Sequence, residues 1–244
     1  MGFADRQSRL GSAERTSSRH SGGHPWPRTR ARHWYFGLQR LAWIAGTKAK
    51  ARLADATLIL DVDRTARIHR GVTVAIGHGS ANRLTIGAGC RLHHGVLLDL
   101  NGGKLELGPD VELRRNTILH VRGHLSLAGG NILSYGSTVH CGERIHLEEL
   151  ASSSEYVTVT DSRHFHTDES RFFYHNTESR PVWIGRNVWL AAKATILPGT
   201  VIGDHAVVAC NSVAGGRIPR AMLVAGAPAR PLRPTLPEPL VRAL

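Results

Sequence analysis

The stretch DSRHFH, Asp161 to His166, holds residue types that can move protons. Two histidines flank a phenylalanine where a regular apolar pattern stops. An imidazole titrates near pH 6.5, so at neutral pH it can take a proton from a hydroxyl group and pass it to a leaving group. His164 and His166 are therefore both candidates for a general base. The elements around them must decide between this chemistry and a polar surface loop.

A six-residue spacing of aliphatic side chains dominates the chain after residue 57. Its longest uninterrupted run is Ile184, Leu190, Ile196, Ile202 and Val208. Earlier frames repeat the interval: Ile86, Leu92, Leu98; Leu107, Leu113, Leu119; Leu127, Leu133, Val139, Ile145; and Leu147 to Val159, with Ser153 in the middle position. This period fits neither a helix nor a simple alternating strand. It predicts short strands that meet at corners and stack as a parallel β-solenoid, an all-β fold.

The solenoid is predicted over residues 57–216, followed by a C-terminal tail over 217–244. Within it, residues 162–183 lack the hexad pattern, and long insertions of this kind are usually functional. We therefore predict that this segment is a protruding loop. It contains both candidate histidines.

Two further segments precede the solenoid. Residues 1–29 are rich in Ser, Arg, Gly and Pro, which predicts a disordered basic N-terminus. Residues 30–50 predict a short amphipathic helix with Trp34, Leu38, Leu41 and Ile44 on one face. Such a helix either caps the core or lies on a membrane surface through its basic and aromatic residues.

Charge and cysteine content exclude several classes of function. The formal net charge is +12, but residues 1–50 contain ten basic and only two acidic residues, so the fold itself gives little reason to expect nucleic acid as a partner. Cys90, Cys141 and Cys210 have no zinc-site spacing and suit a reducing cytosol. No apolar run approaches the ~20 residues that cross a bilayer. We expect a cytoplasmic protein, with peripheral contact to the inner membrane through residues 30–50 left open.

The stretch PVWIGRNVWLAAKATILPGTVIGDHAVVACNSVAGG, residues 181–216, followed by VAGAPARPLR, residues 224–233, resembles the hexapeptide-repeat acyltransferases. The similarity is to the branch of galactoside, maltose, xenobiotic and capsule or lipopolysaccharide sugar O-acetyltransferases. It implies a left-handed parallel β-helix, a homotrimer with active sites at subunit interfaces, and acetyl-coenzyme A as donor without a metal. The family's base follows an aspartate by three positions, which implies His164, with His166 as the alternative.

The resemblance also assigns binding residues. It implies a slot for coenzyme A at Trp189, Ala192, Cys210 and Gly215, with Arg230 and Arg233 facing the phosphates. Cys210 and the Gly215-Gly216 pair depart from the family's usual Ala and Thr-Lys. For the acceptor, the matching positions are Ser134 and Glu143. The polar run ASSSEY, residues 151–156, replaces the family's Asn and aliphatic residues and predicts an irregular coil before the base.

The function implied is transfer of an acetyl or similar acyl group to a hydroxyl of a sugar or glycan precursor. Three alternatives stay open. One is a metal-binding β-helix like the γ-class carbonic anhydrases, for which His120 and His140, 20 residues apart, could lie on neighbouring coils. Another is a catalytically inactive scaffold. The third is a transferase whose donor is carried on acyl carrier protein rather than coenzyme A.

Overall fold

The computed structural model describes residues 30–165 and 176–236, with backbone only for residues 30–34. The predictions for residues 1–29 and for His166 lie outside these described residues. A single helix, α1 (Arg30–Leu53), begins the described chain, slightly longer than the predicted segment. No helix within the described ranges is long and apolar enough to cross a membrane.

Short strands follow α1 through the rest of the described chain. The first nine are β1 (Thr57–Val62), β2 (Arg67–Ile68), β3 (Thr73–Ile76), β4 (Ala81–Ile86), β5 (Arg91–Leu92), β6 (Leu97–Leu100), β7 (Lys104–Leu107), β8 (Glu112–Leu113) and β9 (Ile118–Val121). The next nine are β10 (His124–Leu127), β11 (Ile132–Leu133), β12 (Thr138–Cys141), β13 (Arg144–Leu147), β14 (Ser152–Ser153), β15 (Thr158–Thr160), β16 (Ser162–His164), β17 (Thr177–Ser179) and β18 (Val182–Ile184). The last are β19 (Trp189–Leu190), β20 (Thr195–Ile196), β21 (Val201–Ile202), β22 (Val207–Val208), β23 (Val213–Ala214), β24 (Arg217–Ile218), β25 (Met222–Gly226) and β26 (Ala229–Pro234).

The strands form a three-sided solenoid. The first sheet has the order β1-β4-β7-β10-β13-β18-β21-β24, and the second has the order β2-β5-β8-β11-β14-β19-β22-β25-β26. The third has the order β3-β6-β9-β12-β15-β20-β23. Consecutive coils pair in parallel, about 4.8 Å apart, except that β26 returns antiparallel to β25. The predicted parallel β-solenoid is confirmed.

One aliphatic side chain of each hexad points into the prism and stacks on its counterpart in the next coil. Ile184, Leu190, Ile196, Ile202 and Val208 are all fully buried, as are the aliphatic members of the earlier frames. Cys90 and Cys141 are also buried, and burial raises the pKa of the Cys141 thiol to about 12. These two thiols therefore stay protonated and act as small core side chains.

Ser153 occupies an inward position where the frame calls for an aliphatic residue, yet the predicted irregular coil is not found. The strand β14 pairs in register with both β11 and β19. The Ser153 hydroxyl accepts a hydrogen bond from the Ser134 N–H at 3.1 Å and lies 3.2 Å from the Ser137 hydroxyl. Because this buried oxygen is hydrogen-bonded, the coil keeps its regular geometry.

Helix α1 packs against the first coil, but not through Leu38 and Leu41 of its apolar stripe. Trp43 donates from Nε1 to the Val72 carbonyl at 3.1 Å, and Thr47 and Ala51 on the same side are buried. By contrast, Leu38 and Leu41 are 62% and 58% exposed. Leu38 and Leu41 therefore lie on the outer face of the helix, while Ile44 is half-buried. A second face, polar in part, packs on the prism.

The solenoid also continues beyond its predicted end at residue 216. The strand β24 extends the first sheet, and β25 extends the second. Ile218 and Val224 are buried there, outside the strict six-residue frame. The segment predicted as a tail therefore adds strands to the prism, and β26 covers the last strand of the second sheet.

We expect the variant Ile196→Ala to lower the free energy of unfolding by about 2–5 kcal/mol, because it leaves a cavity in a stack of buried aliphatic side chains. Urea denaturation followed by circular dichroism would measure the loss. The matched control is Leu53→Ala, since Leu53 is 88% exposed and its removal should change stability by no more than about 0.5 kcal/mol. Equal losses in the two variants would contradict the inward stacking.

Candidate active site

A two-stranded arm leaves the solenoid at the corner where the third sheet turns into the first. Its strands β16 and β17 are antiparallel, with Ser162 opposite Ser179 and His164 opposite Thr177. They replace the short turn that other coils have at this corner. The arm carries His164 at the far end of β16, and residues 166–175 beyond it lie outside the described chain.

The carboxylate of Asp161 anchors the base of this arm. It is fully buried and accepts hydrogen bonds from the backbone N–H groups of Gly142 at 2.7 Å and of Glu143 and Arg144 at 2.8 Å each. The Ser162 hydroxyl donates a fourth bond, at 2.6 Å. A buried carboxylate is tolerated when its oxygens are paired in this way. Asp161 thus ties the start of the arm to the corner of the preceding coil.

Close packing at Gly142 completes the anchor. A Cβ atom at this position would collide with the hydroxyl oxygen of Ser162 and would lie 2.9 Å from that of Ser179, one residue on each strand of the arm. These two hydroxyls are also 3.0 Å from each other. The absence of a side chain at residue 142 therefore lets both strands of the arm sit directly on the coil below.

His164 is exposed on the arm, with its Nδ1 3.4 Å from the hydroxyl oxygen of Thr177 on the paired strand. Next to this pair, Glu178 accepts hydrogen bonds from Arg163 at 2.7 Å and from Arg180 at 2.6 Å. The two arginines lower the pKa of Glu178, which keeps this carboxylate ionised. Ion pairing across the arm therefore holds the strands in the register that displays the imidazole.

The two predicted acceptor residues lie at different corners of the prism. Glu143 is exposed in the turn directly below the arm, where its N–H binds Asp161. Ser134 lies at the corner between the second and third sheets, where it is buried and donates to Glu155 Oε1 at 3.2 Å. One chain thus places Glu143 beside the base of the arm and Ser134 at another edge.

The residues predicted to bind coenzyme A occupy the C-terminal coils. Trp189 is 53% exposed on the second sheet and donates from Nε1 to the Ser154 hydroxyl at 3.0 Å. Ala192 and Cys210 stack at the corner between the second and third sheets, where the Asn211 N–H donates to the Ala192 carbonyl at 3.0 Å. Cys210 is exposed. Ala192 and Cys210 therefore lie at one edge, one coil apart, and Trp189 lies on the adjoining sheet.

Gly215 and the two arginines lie elsewhere on the same coils. Gly215 follows β23 at the third-to-first corner, the edge from which the arm leaves, and a Cβ there would lie 3.4 Å from Leu197. Arg230 and Arg233 are exposed on β26, opposite Ala225 and Leu223. The third sheet separates Gly215 from Ala192 and Cys210, so the predicted slot spans one full face of the prism.

The pair His120 and His140 does lie on neighbouring coils, with ring centroids 4.6 Å apart and nearly parallel planes. His120 Nδ1 is 2.8 Å from Asp99 Oδ2. Burial, and then the neighbouring His120, lower the pKa of His140, so its ring stays neutral to more acidic pH. No group of three or more His, Cys, Asp or Glu side chains in the described ranges could hold a metal ion.

The anchoring role of Asp161 was not predicted from the sequence. There, Asp161 served only as the aspartate that precedes the family's base by three positions. Its partners are backbone N–H groups of a turn 17 to 19 residues earlier. A coil length of about 20 residues, visible as the offset between successive hexad frames, is the signal that places these segments one above the other.

We expect Asp161→Asn to destabilise the arm, because the amide NH₂ would face N–H donors and leave at least one of them unpaired. The expected loss in the free energy of unfolding is about 1–3 kcal/mol per unpaired donor, measured by urea denaturation. Asp204→Asn is the matched control, since exposed Asp204 accepts one backbone N–H, from Arg186 at 2.9 Å. A loss no larger than in this control would mean that Asp161 does not hold the arm.

Comparison with known proteins gives a match over the C-terminal coils. Residues 181–216 match the family model "Bacterial transferase hexapeptide (six repeats)". The chain is 32% identical over 122 residues to an Escherichia coli K12 protein with the provisional name lipopolysaccharide biosynthesis O-acetyl transferase WbbJ, covering 43% of this chain and 62% of that protein. It is also 32% identical over 117 residues to the galactoside O-acetyltransferase of the same organism, covering 41% and 56%.

Among solved structures, the chain is similar to a maltose O-acetyltransferase from Clostridium difficile 630, with a TM-score of 0.48 and 21% identity over 52% of this chain and 67% of that one. The matches to the two Escherichia coli proteins cover about three fifths of the length of each of those proteins. The resemblance drawn from the repeats is confirmed in that residues 181–216 match the hexapeptide repeats of bacterial transferases.

Proposed function

We propose that this protein is an acyltransferase that moves an acetyl or similar acyl group from acetyl-coenzyme A to a hydroxyl of a sugar or glycan precursor. The observation that carries the proposal is His164, three residues after a buried carboxylate that anchors its arm to the solenoid. The two relatives at 32% identity, both named O-acetyltransferases, support it.

His164 would act as the general base. As the acceptor oxygen attacks the thioester carbonyl, the imidazole takes the hydroxyl proton, so a neutral hydroxyl becomes an effective nucleophile. When the tetrahedral intermediate collapses, the C–S bond breaks and the departing thiolate of coenzyme A takes that proton from the imidazolium. No covalent acyl-enzyme is needed. A base of this kind typically contributes about 10²–10⁴-fold in rate.

The donor would bind along the C-terminal coils. Exposed Trp189 offers an aromatic face, and the small residues Ala192, Cys210 and Gly215 leave room beside the backbone. The guanidinium groups of Arg230 and Arg233 on β26 would pair with phosphates. This assignment depends on the match of residues 181–216 to the transferase repeats, which covers the first four of these positions.

We also propose a homotrimer in which neighbouring prisms complete each site. Trp183, Trp189 and Tyr156 are exposed on the solenoid, and contact between subunits would bury such large apolar side chains. A second prism could also bring the edge that holds Ser134 up to the arm of its neighbour. Within one subunit, Glu143 is the predicted acceptor residue that lies close to the arm.

The variant His164→Ala should lower turnover by about 10²–10⁴-fold while the trimer and the affinity for coenzyme A stay unchanged. Release of free thiol from acetyl-coenzyme A over a panel of sugars would measure turnover, and calorimetry would measure coenzyme binding. His94→Ala is the matched control, because His94 is exposed at the corner between the second and third sheets, away from the arm.

Parallel measurements on His166→Ala decide between the two candidate bases. Loss of turnover only in this variant would transfer the role to His166. Full turnover in both variants would contradict the general-base mechanism and favour a scaffold.

The outer face of α1 supports a further proposal, peripheral contact with the inner membrane surface. Tyr35, Leu38 and Leu41 are exposed along this face, and Lys48 and Arg52 lie towards its C-terminal end. Apolar side chains flanked by basic residues are typical of helices that lie in the interface of an anionic bilayer.

The double variant Leu38→Ser/Leu41→Ser should reduce co-sedimentation with vesicles that contain phosphatidylglycerol, because it removes most of the exposed apolar area. Its control is Leu232→Ser, an exposed leucine on β26. Neutral phosphatidylcholine vesicles should bind wild type weakly. Undiminished binding of the double variant to the anionic vesicles would contradict the membrane role of α1.

A further inference from the structure

A column of basic residues runs along the edge where the third sheet turns into the first. In the strands of the first sheet, Arg83 pairs with Lys104, Lys104 with His124, and His124 with Arg144. Arg122 lies in the turn directly before His124 and is exposed. We call these five residues the basic edge. The four strand residues are spaced by the coil repeat of about 4.8 Å, and Arg122 lies beside His124.

Three of these residues, all arginines, have no neutralising carboxylate within residues 30–165 and 176–236. Glu106 pairs with both Lys104, at 2.9 Å, and His124, at 2.6 Å. The guanidinium groups of Arg83, Arg122 and Arg144 have no carboxylate partner among the described residues. Because solvent screens exposed charges, an unpaired arginine alone means little. Three arginines within four consecutive coils of one edge, with Lys104 and His124 between them, instead form a continuous positive surface.

The lower part of the basic edge is a groove of about 300 Å³. Its lining includes Asn82, Arg83, Gly103, Lys104, Arg122 and Gly123, and contains no carboxylate and no aromatic side chain. A Cβ atom at Gly103 would collide with the Val121 carbonyl oxygen, and one at Gly123 with the Glu143 carbonyl oxygen. Close stacking of the coils thus keeps side chains off the floor of the groove.

The upper end of the basic edge meets the arm. The N–H of Arg144 donates to the Asp161 carboxylate at 2.8 Å. Asp161 in turn precedes His164 by three residues. Exposed Glu143 stands beside Arg144, so the positive surface weakens just before the arm. A ligand bound along the edge would have its charged groups over Arg83, Arg122 and Arg144, and an uncharged group would reach the imidazole.

From this arrangement we infer that the acceptor is an acidic glycan, an extended chain with carboxylate or phosphate groups that bind the basic edge while one hydroxyl enters the site. The inference rests on the transferase function proposed above and names its acceptor class. An open groove in line with the column of basic residues suits a flexible chain that follows the edge from coil to coil. The absence of aromatic side chains in the lining disfavours single-stranded nucleic acid, whose bases stack on aromatic rings.

The test compares the triple variant R83Q/R122Q/R144Q with the matched control R64Q/R67Q/R70Q in the full chain. The control removes the same charge from three exposed arginines on and beside the second sheet. Isothermal titration would measure binding of polygalacturonate oligosaccharides and of uncharged dextran oligosaccharides of equal length, at low and high salt. Binding is measured without turnover, so an inactive enzyme with intact glycan binding counts only against the proposed function.

We expect the triple variant to weaken binding of the acidic oligosaccharides by about tenfold or more and to lose most of the salt dependence that wild type shows. The control and the binding of coenzyme A should be unchanged. Three results would overturn the inference: equal losses in the two variants, a matching loss of coenzyme A affinity, or tighter binding of single-stranded DNA or anionic vesicles than of the glycan through these arginines. The second would make the basic edge a site for donor phosphates.

Discussion

Inside the three-sided prism, each aliphatic side chain lies on its counterpart in the coil below, and this stacking fixes the position of every other residue. Burial of the hexad side chains stabilises each coil only when a neighbour covers it, because a single coil has no core of its own. Backbone pairing at about 4.8 Å then sets the height of each coil. Side chains on the outside of the prism therefore lie at the same intervals as the coils, although the buried side chains and the backbone set those intervals.

The arm is the one place in the described chain where a corner is exchanged for a different structure, and a buried charge makes the exchange stable. An ordinary corner satisfies its backbone groups through the next coil. Here the Asp161 carboxylate satisfies three N–H groups of the turn below, and the arm is free to extend outward. The same residue therefore joins the core to the strand that carries His164. A looser anchor would let the imidazole move, and positioning is a large part of catalysis.

Much of the fold could be predicted from the sequence because the six-residue period follows directly from strand and corner geometry. The run from Ile184 to Val208 is buried as predicted. The sequence left open what covers the apolar face of α1, since amphipathicity identifies an apolar stripe but not its neighbour, and Leu38 and Leu41 on this face are exposed. The irregular coil predicted around Ser153 was wrong for a related reason. A polar residue at a core position indicates disruption only if it lacks hydrogen-bond partners, and the partners of Ser153 come from another coil.

The site was only partly predictable. Spacing from Asp161 and similarity to a family predict His164 as the base, which stays a prediction, but no local pattern shows that Arg83, Arg122 and Arg144 share one edge. These residues are about 20 positions or more apart, and they become neighbours only when the coil length is applied as a second period. Ser134 and Glu143 are nine positions apart in sequence, yet they lie at different corners of the prism. Distance along a solenoid chain is thus a poor guide to distance in space.

Equal coil height has one more consequence. Since the positive groups sit on successive coils below the arm, the number of coils between α1 and the arm determines how many anionic units a chain could engage before its hydroxyl meets the imidazole. Inserting or deleting one coil would lengthen or shorten this reach by a fixed step and leave the corner that carries the arm unchanged. The number of coils and the structure of the corner with the arm could therefore change independently during evolution, the first altering the length of ligand that the edge binds.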